Sequence, residues 1–179
     1  VQRGLDLLSL DRKLGAPASQ TDPALSLNRA ALATLLWRSA GQPETTSTDA
    51  NAQWYSGAAA WAQKMGFFDK DTAFDPDVSV TREQLAVILY RFASRFASIS
   101  GIKADLSVYP DAASLSPGAE DAMGWAVAAG LLASTSGGGV VYLAPKDAVT
   151  AEDAMFALAL LLRPAASMEH IAQHQNLEQ

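Results

Sequence analysis

The sequence predicts an all-α fold in which three helix-loop-helix repeats pack as a pseudo-threefold bundle. Three observations lead there. Two short patterns recur in the same order along the 179 residues, each predicted helix carries apolar residues at helical spacing, and alanine makes up about a fifth of the chain. Alanine has the best intrinsic helix propensity, so its excess suits helices that approach one another closely. Hydrophobic residues form 49% of the chain and charged residues 18%, the balance of a soluble globular protein. With no cysteine there is no disulfide framework, no thiolate nucleophile and no cysteine-ligated zinc. A net charge of -6 with only 13 Lys and Arg argues against nucleic acid as a partner. The longest apolar runs, such as Met155 to Leu162, fall short of the about 18 residues that cross a bilayer, so no membrane insertion is expected. No charged stretch followed by an apolar one stands at the start, which reads as a mature or trimmed piece of an exported protein.

The elements follow in order. Repeat one covers residues 1–45 and is truncated at its N-terminus. Arg3-Gly4-Leu5 resembles the tail of an opening helix, and after Pro23 the cap Asn28 starts a helix that ends near Trp37-Arg38. Repeat two, residues 46–104, is complete. Trp54, Ala58, Trp61, Ala62 and Met65 share one helical face, and Gly66 suits the left-handed position just past the helix end. Asp69 to Asp77 form a polar turn. Thr81 then caps the second helix, with Gln84 three residues on completing a capping box and Val80 and Leu85 placed as a hydrophobic staple. Copy one has Ala31 where the box needs Gln, so it lacks one. Repeat three, residues 105–165, repeats Trp61-Ala62 as Trp125-Ala126 and Gly66-Phe67 as Gly130-Leu131. It passes through the turn-forming run Ser134 to Gly139 and restarts at the cap Thr150. Residues 166–179 form a tail with Met168, Ile171 and Ala172 at helical spacing, expected to cover the flank left open near Gly4 and Leu5.

The pattern Trp-Ala, helix-ending Gly, polar turn, aromatic-x-Pro, then Val-Thr-Arg-Glu and an apolar helix resembles the S-layer homology domain family. Copy two carries it most fully, at Trp61, Gly66, Phe74-Asp75-Pro76 and Val80-Thr81-Arg82-Glu83. Copy three carries it at Tyr109-Pro110-Asp111, Trp125-Ala126, Gly130-Leu131 and Val149-Thr150, and copy one from Asp22-Pro23 through Arg38. The resemblance implies a non-catalytic module that anchors exported proteins at the bacterial cell surface or cell wall. The implied ligand is a secondary cell-wall polysaccharide, pyruvylated or otherwise anionic, held in grooves between repeats. It implies no cofactor. It also places an arginine of the Thr-Arg-Ala-Glu motif in those grooves.

The binding candidates are Asn28, Arg29, Thr81, Arg82, Glu83, Thr150, Glu152, Trp54 and Asp111. A helix start offers unpaired N–H groups and the positive end of a dipole, which suit a carboxylate. Arg82 and Arg29, each one residue past its cap, add a guanidinium able to grip a carboxylate through two parallel bonds. Copy three has Ala151 there, so at most two anion sites are expected, the third being degenerate. Glu83 and Glu152 either accept sugar hydroxyls or simply sit favourably in a first helical turn. Trp54, Trp61 and Trp125 can stack on sugars, but the latter two lie on the apolar stripe and fit a core role better, as does Trp37. Gly118 replaces Trp54 in copy three.

Other chemistries find less support. His170 and His174 are spaced for a metal, without a third ligand. Asp69, Asp71, Asp75 and Asp77 have a calcium-loop composition but lack the turn glycine and the twelfth-position glutamate. No metal site is expected from either. No Ser-centred elbow, zinc-protease helix motif or phosphate-cradling loop occurs, so no catalytic residue is assigned. The competing reading is a repeat-derived structural or protein-interaction domain without glycan binding, favoured by Ala151, Gly118 and the acidic balance.

Overall fold

The structure is a computed structural model that describes residues 26–45, 53–68, 73–97, 99 and 101–162. Arg3 to Leu5, Asp22, Pro23, Asp69, Asp71, both histidines and the tail from Ser167 lie outside the described residues. Five α-helices are described: α1 (Arg29–Ser39), α2 (Ser56–Lys64), α3 (Arg82–Phe96), α4 (Glu120–Ala128) and α5 (Ala151–Leu161). Two strands, β1 (Thr135–Gly137) and β2 (Val140–Tyr142), pair antiparallel between α4 and α5. Single 3-10 turns lie at Leu106–Val108 and Ala112–Ser114.

The all-α expectation is therefore wrong: the fold mixes helices with an antiparallel hairpin. The hairpin occupies the run expected to be a plain turn. Gly138 and Gly139 have φ of 59° and 81°, the two left-handed positions that a two-residue hairpin turn requires. Thr135 on one side and Val140, Val141 and Tyr142 on the other are residues that favour extended backbone. A glycine-rich stretch read only as a turn between helices conceals this signal, because the flanking strands are just three residues long.

A second departure from pure helix lies where the three repeats meet. Leu27, Val80 and Val149 each precede a helix cap, and all three are at most 2% exposed. Their backbones bond in a ring. Leu27 N–H donates to Val149 C=O (2.7 Å), Val80 N–H to Leu27 C=O (2.8 Å), and Val149 N–H to Val80 C=O (2.9 Å). Isolated antiparallel bridges at Ser26–Thr150, Asn28–Ser79 and Thr81–Ala148 flank the ring. The residues expected to act as local staples thus also knit the repeats together. Buried backbone groups demand partners, and in this ring each repeat supplies them to its neighbour.

The helix ends follow the sequence closely. Thr81 and Gln84 make the expected capping box, and Asn28 caps α1 through its side chain alone. Thr150 forms a further box with Asp153, which the Glu/Gln pattern does not flag. Gly66 (φ 76°) and Gly130 (φ 68°) take the left-handed position after α2 and α4. There Phe67 N–H bonds back to Ala62 C=O and Leu131 N–H to Ala126 C=O, closing each helix end.

Helices pack chiefly across repeat boundaries, α1 on α2 and α3 on α4, with α5 against α1 and α3. Trp61, Phe67, Phe92 and Phe96 form one aromatic cluster, with centroids 4.9–6.3 Å apart among its contacting pairs. Trp125 packs edge-on to Tyr90 at 5.4 Å. Trp61 and Trp125 are buried, as their stripe position implies, whereas Trp37 is only half-buried and donates its indole N–H to Pro43 C=O. Among the described residues no helix is long and apolar enough to cross a membrane.

Candidate functional site

The starts of α1 and α3 are not open anion sites. At α3 the Arg82 N–H donates to Asp147 C=O (2.9 Å), Glu83 N–H to Pro145 C=O (3.0 Å) and Gln84 N–H to the Thr81 hydroxyl. At α1 the Arg29 N–H donates to Val78 C=O (3.0 Å), Ala30 N–H to Pro76 C=O (3.1 Å) and Ala31 N–H to Asn28 Oδ1 (2.9 Å). The three first N–H groups of each helix are consumed by the cap and by the loop of the next repeat. Asn28, Thr81 and Thr150 are therefore caps whose side-chain oxygens are already bonded.

The two arginines of the motif part company. Arg82 is 8% exposed and turns inward, where its Nε donates to Leu143 C=O (2.8 Å) and its Nη2 to Ala133 C=O. Those carbonyls stand at the two ends of the hairpin. Burial pulls the guanidinium below its ordinary pKa, against the opposing fields of Asp153, Asp147 and Asp111. Arg29, by contrast, is half-buried and lines a cleft of about 410 Å³. Its guanidinium has no hydrogen-bond or ion-pair partner among the described residues.

This cleft draws on all three repeats. Arg29 enters from the start of α1, while Gln84, Val87 and Arg91 come from α3. Phe67, Phe68 and Phe74 form an aromatic wall, and Ser116 to Ala119 close the side nearest α4. Arg91 is exposed and directs Nη1 toward Gly66 and Phe67 C=O at 3.3 and 3.4 Å. An aromatic row continues outward from the wall: Phe68 meets Phe74 edge-on at 5.3 Å, Phe74 meets Tyr55 at 6.4 Å, and Tyr55 meets Trp54 at 5.4 Å. Trp54 is half-buried just before α2, at the far end of this row rather than in the cleft. Gly118, which takes the place of a tryptophan in copy three, stands in the cleft wall at φ 86° with open space where a side chain would be.

Glu83 braces the Ser116 wall. Its Oε2 accepts from Ser116 N–H (2.9 Å), and its Oε1 accepts from the Ser116 hydroxyl (2.8 Å) and from Lys146 Nζ. Burial pushes this carboxyl up, but the bonds from Lys146 and Ser116 outweigh it and hold it below its usual range. A carboxylate with a depressed folded pKa stabilises the fold above its unfolded pKa, and that contribution is lost as pH falls through the folded value. Glu83→Gln is therefore expected to flatten the loss of stability below about pH 4.5, near the ordinary glutamate value, read as thermal midpoint against pH for both proteins. An unchanged acid limb in the variant would show that the brace carries no linked protons.

The remaining candidates fall elsewhere. Asp111 accepts Leu143 N–H (3.0 Å) and Ala144 N–H (2.7 Å), one on each oxygen, and so shapes the end of the hairpin. Glu152 is exposed in the first turn of α5. Among the described residues no group of three or more His, Asp or Glu is placed to hold a metal. Of the candidates, the structure puts Arg29 and Glu83 at one cleft. Reasoning from the sequence missed Arg91, Phe68, Phe74, Ser116 and Lys146. Phe67-Phe68 in place of a glycine-rich turn was the available sign for the wall. Nothing local connects Glu83 with partners 33 and 63 residues away.

No family model matches the chain, and no curated protein matches it. Among solved structures it is similar to an undecaheme cytochrome from the S-layer of Carboxydothermus ferrireducens, at 19% identity and a TM-score of 0.43. That match covers 86% of this chain and 24% of the cytochrome, so the chain spans about a quarter of the protein it resembles.

Proposed function

We propose that the chain is a non-catalytic binding module of the S-layer homology type that holds an anionic cell-wall polysaccharide, such as one bearing pyruvate ketals. In this reading it tethers an exported protein to the bacterial cell wall. The observation that carries it is the Arg29 guanidinium, which has no partner among the described residues and borders a 410 Å³ cleft with an aromatic wall. A guanidinium without an acceptor among the described residues suits a planar carboxylate, and the rings of Phe68 and Phe74 suit the apolar faces of sugar rings. The net charge of -6 works against long-range attraction to an acidic glycan, so affinity has to come from these close contacts.

Purified cell walls with their polysaccharide are expected to retain the folded chain, and walls stripped of it to release it. Arg29→Ala is expected to weaken retention by about tenfold or more, since one charge-assisted contact contributes roughly 1.5–3 kcal/mol. Its thermal midpoint should stay within a degree or two of the parent, because the side chain bonds nothing else that is described. A second reading, a structural or protein-interaction domain, draws on the consumed helix-start donors and on Arg82 being turned inward. Failure of intact walls to retain a folded sample would favour it.

A further inference from the structure

We infer that, of the two motif arginines, Arg29 serves a ligand cleft and Arg82 does not, because the chain's own hairpin occupies the Arg82 guanidinium. This rests on the reading of the Arg29 cleft given above and narrows it to one of the two arginine positions.

The two positions share the same backbone. Arg29 and Ala30 donate to Val78 and Pro76, and Arg82 and Glu83 donate to Asp147 and Pro145, acceptors displaced by the same 69 residues. Each arginine is the first residue of its helix, directly after its cap. Only the side-chain surroundings differ. At Arg82 the hairpin ends present the carbonyls of Ala133 and Leu143 to Nη2 and Nε. Asp111 fixes the second of these by taking the N–H groups of Leu143 and Ala144. The position matching Leu143 in copy two is Phe74, whose ring joins the wall of the Arg29 cleft.

An incoming carboxylate at Arg82 would have to displace two backbone carbonyls and leave them without donors. That penalty is comparable to what the new contact returns, so the exchange has no net drive. At Arg29 no such exchange is needed with any described residue. The left-handed glycines at 138 and 139 let the hairpin turn tightly, which brings the Ala133 and Leu143 carbonyls together at Arg82.

The test is a calorimetric titration of the full chain with a methyl hexoside carrying a 4,6-linked pyruvate ketal, with the same glycoside lacking the ketal as control. Arginine side-chain signals are followed by NMR in parallel. One bound equivalent is expected, with the Arg29 Nε–H signal shifting and the Arg82 signal still. Without any probe, the Arg82 Nε–H should exchange with solvent at least tenfold more slowly than that of Arg29. Two bound equivalents, or movement of the Arg82 signal together with that of Arg29, would overturn the inference about Arg82 while leaving the reading of the Arg29 cleft intact. Equally fast exchange at both arginines would overturn it too. No binding by the ketal glycoside would remove the cleft reading itself and the inference with it, whatever the exchange rates.

Discussion

Replacing Arg82 by alanine is expected to destabilise the chain by about 3 kcal/mol, seen as a fall of roughly 10 °C in thermal midpoint for a protein of this length. The cause is local and specific. Leu143 C=O and Ala133 C=O lose the donors that the guanidinium supplies, and Leu143 itself is fully buried. Arg82→Lys should recover only part of this, because an ammonium lacks the planar fork that reaches two carbonyls at once. A motif arginine that served only as a ligand clamp would show the opposite pattern, weaker binding at unchanged stability. An unaltered melting curve for the alanine variant would return Arg82 to the list of binding candidates.

Asp111→Ala is expected to cost about 2–3 kcal/mol, measured by urea unfolding, for a complementary reason. Its carboxylate satisfies two neighbouring donors, Leu143 N–H and Ala144 N–H, where charge-assisted bonds are stronger than neutral ones. Ala144 also sits at φ 49°, a conformation that a non-glycine residue holds only when its surroundings enforce it. Asp111→Asn keeps one acceptor oxygen and should lose about half as much. Because Arg82 and Asp111 bond opposite sides of the Leu143 backbone, the double alanine variant should not be additive. Strict additivity would mean that the two side chains hold independent parts of the hairpin.

How much of this was legible beforehand depended on the range over which each feature is encoded. The cap at Thr81, the box with Gln84 and the left-handed Gly66 each involve residues within a few positions of one another. The repeat pattern located all of them correctly. The hairpin was locally encoded as well, by Gly138-Gly139 between β-branched residues, and was overlooked because the helical repeats set the expectation for the linker. The Ser116 wall is different in kind. It depends on Glu83 meeting Ser116 and Lys146, and no spacing rule connects those positions.

The first-turn donors of α1 and α3 are occupied for a related reason. The first turn of an isolated helix does carry unpaired donors, and the reasoning was sound for a helix in solution. In this chain the loop of the following repeat supplies Asp147 and Pro145 to α3, and Val78 and Pro76 to α1, so those donors are spent on assembly.

The sequence by itself determined the caps and glycines that bound the helices and the apolar residues at 27, 80 and 149 placed just before the caps. These depend on short-range geometry, where backbone and neighbouring side chain decide the outcome together. Tertiary structure alone decided the fate of two arginines that stand at equivalent positions. Arg82 finds carbonyls contributed 51 and 61 residues further along the chain, and Arg29 has none among the described residues. A buried guanidinium takes whatever acceptors the fold brings within reach, and that placement is a property of the packed repeats rather than of the motif.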